Sequence, residues 1–99
     1  MQSRHVFLQE TYSPRPEWHE IKVFQKGYPD RPFKKVARID VHVEKTSFIG
    51  SSFKNALPEL SKQARLSGAD AIIDIQESSS MILETRVYHV SVTGIRYTD

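Results

Sequence analysis

The sequence predicts a single α+β domain: a mixed four-stranded sheet in the order β-β-α-β-β, with one helix packed on one face. Residues 37–44 alternate strictly between apolar and polar side chains, which is typical of a strand with one buried face. Apolar residues then recur three to four apart between residues 56 and 67, which indicates an amphipathic helix. An almost continuous apolar run follows at 71–76, as expected of a central strand. A chain of 99 residues has room for one hydrophobic core.

The amino-terminal part is predicted to be extended. Residues 1–17 form a lead-in and residues 18–99 the folded domain, because Pro14 and Pro16 disfavour helix and strand pairing around them. The three apolar residues 6–8 are weak evidence for an edge strand.

Two strands are predicted before the helix. The first covers residues 18–24 and ends at the loop of residues 26–32, which contains one glycine and two prolines. The second, at 36–44, is rich in β-branched residues and is the strongest strand signal in the chain. Its buried face comprises Ala37, Ile39, Val41 and Val43, and its polar face Arg38, Asp40, His42 and Glu44.

The helix is predicted over about 56–67. Pro58 is tolerated in a first turn, Asn55 is a suitable N-cap, and Gly68 suits the left-handed position after the last turn. Leu57, Leu60 and Ala64 form the predicted buried face, whereas Glu59, Lys62, Gln63 and Arg65 take the opposite side.

The carboxyl-terminal part predicts two further strands. Residues 70–76 form the first, residues 77–80 a polar turn, and residues 81–97 a long strand that completes an antiparallel hairpin. Together with the helix, the strands at 36–44 and 70–76 make a βαβ unit, which predicts that these two strands pair in parallel with a right-handed crossover.

Composition excludes several classes of function. The absence of cysteine excludes disulfides, zinc–thiolate sites and thiol nucleophiles. A net charge of +2 is too small to imply a polyanionic partner, so we expect no nucleic acid, and four glycines provide no phosphate-binding loop. No apolar run approaches the roughly 18 residues of a membrane-spanning helix. Residues 1–17 do not resemble a signal peptide, so the default expectation is a cytoplasmic location.

The motifs around the helix resemble those of a group of small bacterial domains. The group includes the YbjQ-type family, labelled as heavy-metal binders, and the globular domain of RcsF-type outer-membrane lipoproteins. The similarity covers roughly residues 29–97, and its core is a helix of the form LxxxAxxxGA(D/N)A, matched here by residues 60–71. It implies an α+β fold, a cell-envelope location if a leader was removed, and an oligomer. The disulfide-based sensing of RcsF-type domains does not carry over to a chain without cysteine.

Four polar residues on predicted strands are the candidate metal ligands. Asp40, His42, Asp74 and His89 occupy the polar parity of three strands, and two imidazoles with two carboxylates suit a borderline metal such as zinc or nickel. None of the histidines has an HxH, HxxxH or HExxH spacing, so the fold would have to assemble the site. The alternative interpretation, which we favour, is that these residues are solvent-facing positions on an open sheet.

Other candidate residues point to an interface rather than to catalysis. Trp18, Phe33 and Tyr88 are the aromatic residues that we predict at a protein interface. Lys34, Lys35 and Arg38, near Arg31 and Phe33, form the densest basic cluster, which is a nucleic-acid signal in other contexts.

Carboxylate pairs and serines lack a nucleophile-elbow or cleft context, so enzymatic activity is the least supported class and no cofactor is expected. The leading hypothesis is a non-enzymatic module that binds a protein partner or forms a homo-oligomer. The alternative is a metal- or small-ligand-binding domain.

Overall fold

The chain forms one five-stranded mixed sheet and one helix in the residues described, which are 2–8, 10–46, 53–82 and 85–99 of a computed structural model. The elements follow the order β1 (Gln2–Phe7), β2 (Lys22–Val23), β3 (Phe33–Thr46), α1 (Phe53–Leu66), β4 (Ala71–Ile82) and β5 (Thr85–Tyr97). The sheet has the spatial order β1-β3-β5-β4-β2. Of the four strand pairs in the described residues, the β2–β4 pair is parallel and the other three are antiparallel. The α+β class, the mixed sheet and the helix on one face are therefore confirmed.

The strand beyond the four predicted ones is β1, which lies inside the segment predicted as an extended lead-in. β1 pairs antiparallel with β3 from Gln2 opposite His42 to Phe7 opposite Ala37. Its side chains alternate between exposed and half-buried positions. The sequence signal for β1 is weak because the residues that face the helix, Ser3 and His5, are polar. The Ser3 hydroxyl donates a hydrogen bond to Glu59, and Nδ1 of His5 donates one to Oε1 of Gln63 (2.5 Å).

The predicted parallel pairing of the second and third strands is wrong. β5 lies between β3 and β4 and runs antiparallel to both. The βαβ rule assumes that no later strand enters between the two parallel strands, whereas the hairpin returns β5 into that gap. There β5 gains a hydrogen-bonded neighbour on each side.

The hairpin of β4 and β5 is confirmed, but its turn is misplaced in the prediction. Residues 77–80 lie inside β4 and pair with β5 rather than forming a turn. The connection falls at residues 83–84, outside the described residues. Serine favours turns because its hydroxyl competes for nearby backbone groups, and here a complete antiparallel ladder outweighs that local preference.

The helix begins earlier than predicted and ends where predicted. It starts at Phe53, so Asn55 lies within it rather than capping it, and Pro58 stands in the second turn. The missing N–H of Pro58 leaves one first-turn carbonyl without its helical partner. Gly68, with φ of +82°, ends the helix: its N–H bonds to Arg65 O and that of Ala69 to Ala64 O, the two bonds of a Schellman motif.

The main core lies between α1 and one face of the sheet. Leu60 and Ala64 of the helix are fully buried, as are Ile39 and Val41 of β3. The predicted buried face of β3 is thus confirmed, and so are Leu60 and Ala64 on that of α1, whereas Leu57 is only half-buried. On the side of α1 predicted to be polar, Gln63 is buried. That side chain is 8% exposed rather than solvent-facing, because β1 covers it and Ser3 accepts a hydrogen bond from its amide nitrogen.

A smaller apolar cluster lies on the opposite face, at the end of the sheet near β2. Its fully buried members are Ala71, Ile73 and Ile95, with Phe33 and Tyr97 packed against them. The rest of that face is mainly polar, with Val6 as an exposed apolar residue, and is not covered by α1. No helix in the described ranges has the length and apolar character required to cross a membrane.

Candidate functional site

A polar patch occupies the sheet face opposite α1. The strand registers place side chains of β1, β3 and β5 next to each other in two successive rows. These rows are Arg4–Asp40–Ser91 and Gln2–His42–His89. A shallow depression of about 450 Å³ is lined by five of these six residues, all except Ser91, and by Ser3. Three of the four predicted metal ligands, Asp40, His42 and His89, are therefore neighbours.

Asp40 is the best-anchored group of the polar patch. Its carboxylate accepts a hydrogen bond from the Ser91 hydroxyl. Nε of Arg4 lies 3.6 Å from one of its oxygens, and Nε2 of His89 lies 3.6 Å from the other. The Asp40 side chain is 17% exposed, against 76% for Arg4 and 47% for His89. The patch thus presents a fixed acceptor surrounded by solvent-accessible donors, an arrangement suited to a small polar ligand.

The two histidines of the polar patch stand directly opposite each other. The ring centroids of His42 and His89 are 6.3 Å apart. Two imidazoles on one tetrahedral metal ion, with metal–nitrogen distances near 2.0–2.1 Å, would bring their centroids to about 5 Å. Metal binding would therefore require the rings to approach by roughly 1 Å. Within the described residues, no group of three or more histidine, aspartate or glutamate side chains is placed to hold a metal ion.

Asp74, the fourth predicted ligand, lies away from the polar patch. It sits at a bulge between Ile73 and Gln76, with φ of +53°, so the alternation that placed it on the polar parity is broken there. Its carboxylate accepts a hydrogen bond from the Tyr28 hydroxyl (3.0 Å) and lies 3.9 Å from Nζ of Lys35. The structure therefore assembles three of the predicted ligands and not the fourth.

The three predicted interface aromatics have different environments. Trp18 is 83% exposed, in a turn before β2. Phe33 is half-buried in the smaller apolar cluster. Tyr88 is 6% exposed, and its hydroxyl donates to Glu77 (2.5 Å), so the side chain belongs to the core. Burial, and then the hydrogen bond to Glu77, raise the pKa of Tyr88 above its ordinary value. Of these three residues, Trp18 alone presents a large aromatic surface.

The basic cluster is largely paired with carboxylates. Nη2 of Arg31 lies 2.6 Å from Asp99, and this hydrogen bond lowers the pKa of the Asp99 carboxyl. Arg38 is exposed. The lysines have carboxylate neighbours at the limit of ion pairing: Lys34 with Glu10 and Lys35 with Asp74, both at 3.9 Å.

A second polar centre, at Asp70, was not predicted from the sequence. Its Oδ1 lies 3.0 Å from Nη2 of Arg15 in an ion pair and is hydrogen-bonded to Nε2 of His19 (2.9 Å), and its Oδ2 accepts a hydrogen bond from the Tyr97 backbone N–H (3.0 Å). Arg15 and His19 lie 55 and 51 positions before Asp70 in the sequence, and Tyr97 lies 27 positions after it. No local spacing could have indicated the contact. The centre attaches the segment before β2 to the end of the sheet.

The outer edge of β4 is uncovered over most of its length. β2 pairs only with Ala71 and Ile72, so from Gln76 onward β4 has no outer neighbour among the residues that the structure describes. The side chains of residues 76–80 are all exposed. An edge strand of this kind presents unpaired backbone donors and acceptors.

No protein-family model, curated protein or solved structure matches this chain. The resemblance to YbjQ-type and RcsF-type domains therefore stays a prediction.

Proposed function

We propose that this chain is a non-enzymatic interaction module that associates with a second copy of itself through the outer edge of β4. The observation that carries the proposal is the uncovered edge at residues 76–80. Backbone groups on such an edge are satisfied most completely by another strand, which extends the sheet.

The edge of β4 is better suited to pairing than the edge of β1 at the other side of the sheet. Native sheets discourage strand addition with charged side chains and proline on their edges. β1 carries Arg4, whose side chain is 76% exposed. Residues 76–80 contain one acid, Glu77, and neither lysine, arginine nor proline. Each edge therefore carries one charged residue, but the Glu77 carboxylate already accepts a hydrogen bond from the Tyr88 hydroxyl, so charge repulsion is weaker at β4.

A second copy is the occupant that we propose, because this strand is compatible with itself. An antiparallel pair related by a two-fold axis at Ser78 places Ser78 opposite its own copy, Glu77 opposite Ser79, and Gln76 opposite Ser80. No like charges face each other in that register, and hydroxyl groups meet hydroxyl or amide groups. A contact of one strand pair is small, so we expect a reversible dimer that forms at high protein concentration.

Sedimentation velocity over a wide concentration range tests the proposal. The parent protein should shift from one-chain to two-chain mass as concentration rises. The variant with Ser78→Lys and Ser80→Lys places like charges across the new strand pair and should weaken association about tenfold. Both positions are exposed, so the fold should be retained.

The matched control places two lysines on the opposite edge, as Gln2→Lys with Val6→Lys. This variant should associate like the parent. If it dissociates instead, β1 is the pairing edge and the proposal is wrong. If the parent stays a single chain at all concentrations, a second copy is not the occupant, and self-association is rejected.

The second candidate function is binding of a small polar ligand or a divalent metal at the polar patch, because the fold brings Asp40, His42 and His89 together over a depression. Calorimetric titration with zinc and with nickel tests the metal version. The parent should bind and the double variant His42→Ala with His89→Ala should not. Equal binding by both proteins, or none by the parent, rejects metal binding at this patch.

A further inference from the structure

Trp18 is an unusual surface residue. It is the only tryptophan in the sequence, and its side chain is 83% exposed. Large aromatic side chains are normally mostly buried, and tryptophan is among the residues most enriched at the centres of binding interfaces. An indole left in water is therefore a candidate anchor for a partner.

The segment that carries Trp18 is attached on both sides of the indole. Arg15 and His19 bind the same oxygen of Asp70, at 3.0 and 2.9 Å. The backbone N–H of Arg15 also donates to Arg65 O (2.6 Å) at the end of α1. Because these contacts hold the loop backbone in place, the loop itself loses little freedom when a partner binds, which favours affinity.

The free charges next to the indole are mainly acidic. Glu17 directly precedes Trp18, Glu20 follows two residues later, and both are exposed. Among the described residues neither glutamate has a hydrogen bond or an ion pair, whereas Arg15 is occupied by Asp70. Lys22 is the nearest exposed cation along the sequence. Beside the loop lies a depression of about 460 Å³, lined by Glu20, His19 and Lys22 and by two arginine–aspartate pairs, Arg15 with Asp70 and Arg31 with Asp99.

We infer that the Trp18 loop, residues 17–20, docks an arginine-bearing segment of a partner polypeptide. A guanidinium stacks on an aromatic face and is attracted most strongly by tryptophan. Its remaining N–H groups form charge-assisted hydrogen bonds with carboxylates, which Glu17 and Glu20 supply. Phosphate groups would be repelled by the same two carboxylates, which argues against a nucleic acid here. The inference is independent of the β4 edge.

Fluorescence tests the inference directly, because all tryptophan emission comes from Trp18. The probe is a short peptide in which arginines alternate with glycines, and its control replaces each arginine by citrulline, a neutral isostere. We expect saturable quenching by the arginine peptide and at least about tenfold weaker binding of the citrulline peptide. Added salt should weaken the arginine peptide selectively.

Variants separate the loop from general surface charge. Glu17→Gln and Glu20→Gln should each lower affinity by about threefold or more. Asp30→Asn, which removes an exposed carboxylate from another loop, should leave affinity unchanged. Calorimetry with Trp18→Leu should show lost binding with unchanged thermal unfolding.

Four results would each overturn the inference: equal binding of the two peptides, unchanged affinity in both glutamate variants, retained binding by Trp18→Leu, or stronger quenching by a single-stranded oligonucleotide than by the arginine peptide.

Discussion

Replacement of Asp70 by alanine tests whether the polar centre at the end of the sheet stabilises the fold. The change removes the acceptor for Arg15, His19 and the Tyr97 backbone N–H in one step. These contacts join the segment before β2 to the connection after α1 and to the end of β5. We expect Asp70→Ala to destabilise the protein strongly while leaving the helix–sheet core in place.

The magnitude follows from the exposure of the partners. Hydrogen bonds to charged groups contribute about 1.5–3 kcal/mol each. The Asp70 side chain is 12% exposed, but those of Arg15 and His19 are 25% and 28% exposed, so both recover water when released. We therefore expect a loss of about 3 kcal/mol in the free energy of unfolding rather than the sum of three full contributions. For a domain of this size the melting temperature should fall by about 15 °C.

The assay is urea and thermal unfolding followed by circular dichroism, with Asp99→Ala as the matched control. Asp99 also binds an arginine, and at a shorter distance: 2.6 Å to Arg31, against 3.0 Å for Arg15 to Asp70. Both partners of that pair are nearly half exposed, so its removal should change stability much less. In the Asp70→Ala background, Arg15→Ala should cost little more, because its partner is already absent. Equal losses for Asp70→Ala and Asp99→Ala, or full additivity with Arg15→Ala, would refute the reasoning.

The remaining predictions concern the backbone, the core and the titration of a tyrosine. Gly68→Ala should lower the free energy of unfolding in urea more than Gly27→Ala does. Both glycines have positive φ. An added Cβ at Gly68 would lie 2.7 Å from a side-chain carbon, whereas one at Gly27 would meet no atom within 4 Å. The strain alone is about 1–2 kcal/mol, so equal costs would contradict the predicted clash. Leu60→Ala should lose about 2–5 kcal/mol because Leu60 is fully buried, whereas Leu66→Ala, at a residue 40% exposed, should lose far less in the same assay. Because the folded state raises the pKa of Tyr88, its contribution to stability is complete below pH 10 and declines as the pH rises above 10. Tyr88→Phe should flatten that decline, and an unchanged slope would exclude Tyr88 as its cause.

Local sequence patterns determined the features that depend only on residues near each other along the chain. The alternation at residues 37–44 fixes which face of β3 is buried, because a strand has a side-chain period of two wherever it lies in a sheet. Gly68 marks the end of α1 because a left-handed residue is needed there whatever the helix packs against. The same alternation of side chains along a strand predicts that His42 and His89 lie on the open face of the sheet.

Tertiary contacts decided the features that side-chain alternation and secondary-structure propensity do not encode. β5 and β3 pair over most of their length, and this pairing, rather than the βαβ rule, sets the strand order. β1 joins the sheet through its backbone pairing with β3 and contacts α1 through polar side chains such as His5 with Gln63, so its sequence resembles that of a loop. Asp74 lies at a bulge, where one extra residue reverses the alternation for that position. The sequence by itself determined the local elements and their faces, because these depend on neighbours along the chain. Only the tertiary structure decided the strand order, the Asp70 centre and the exposure of Trp18, because these depend on residues far apart in the sequence.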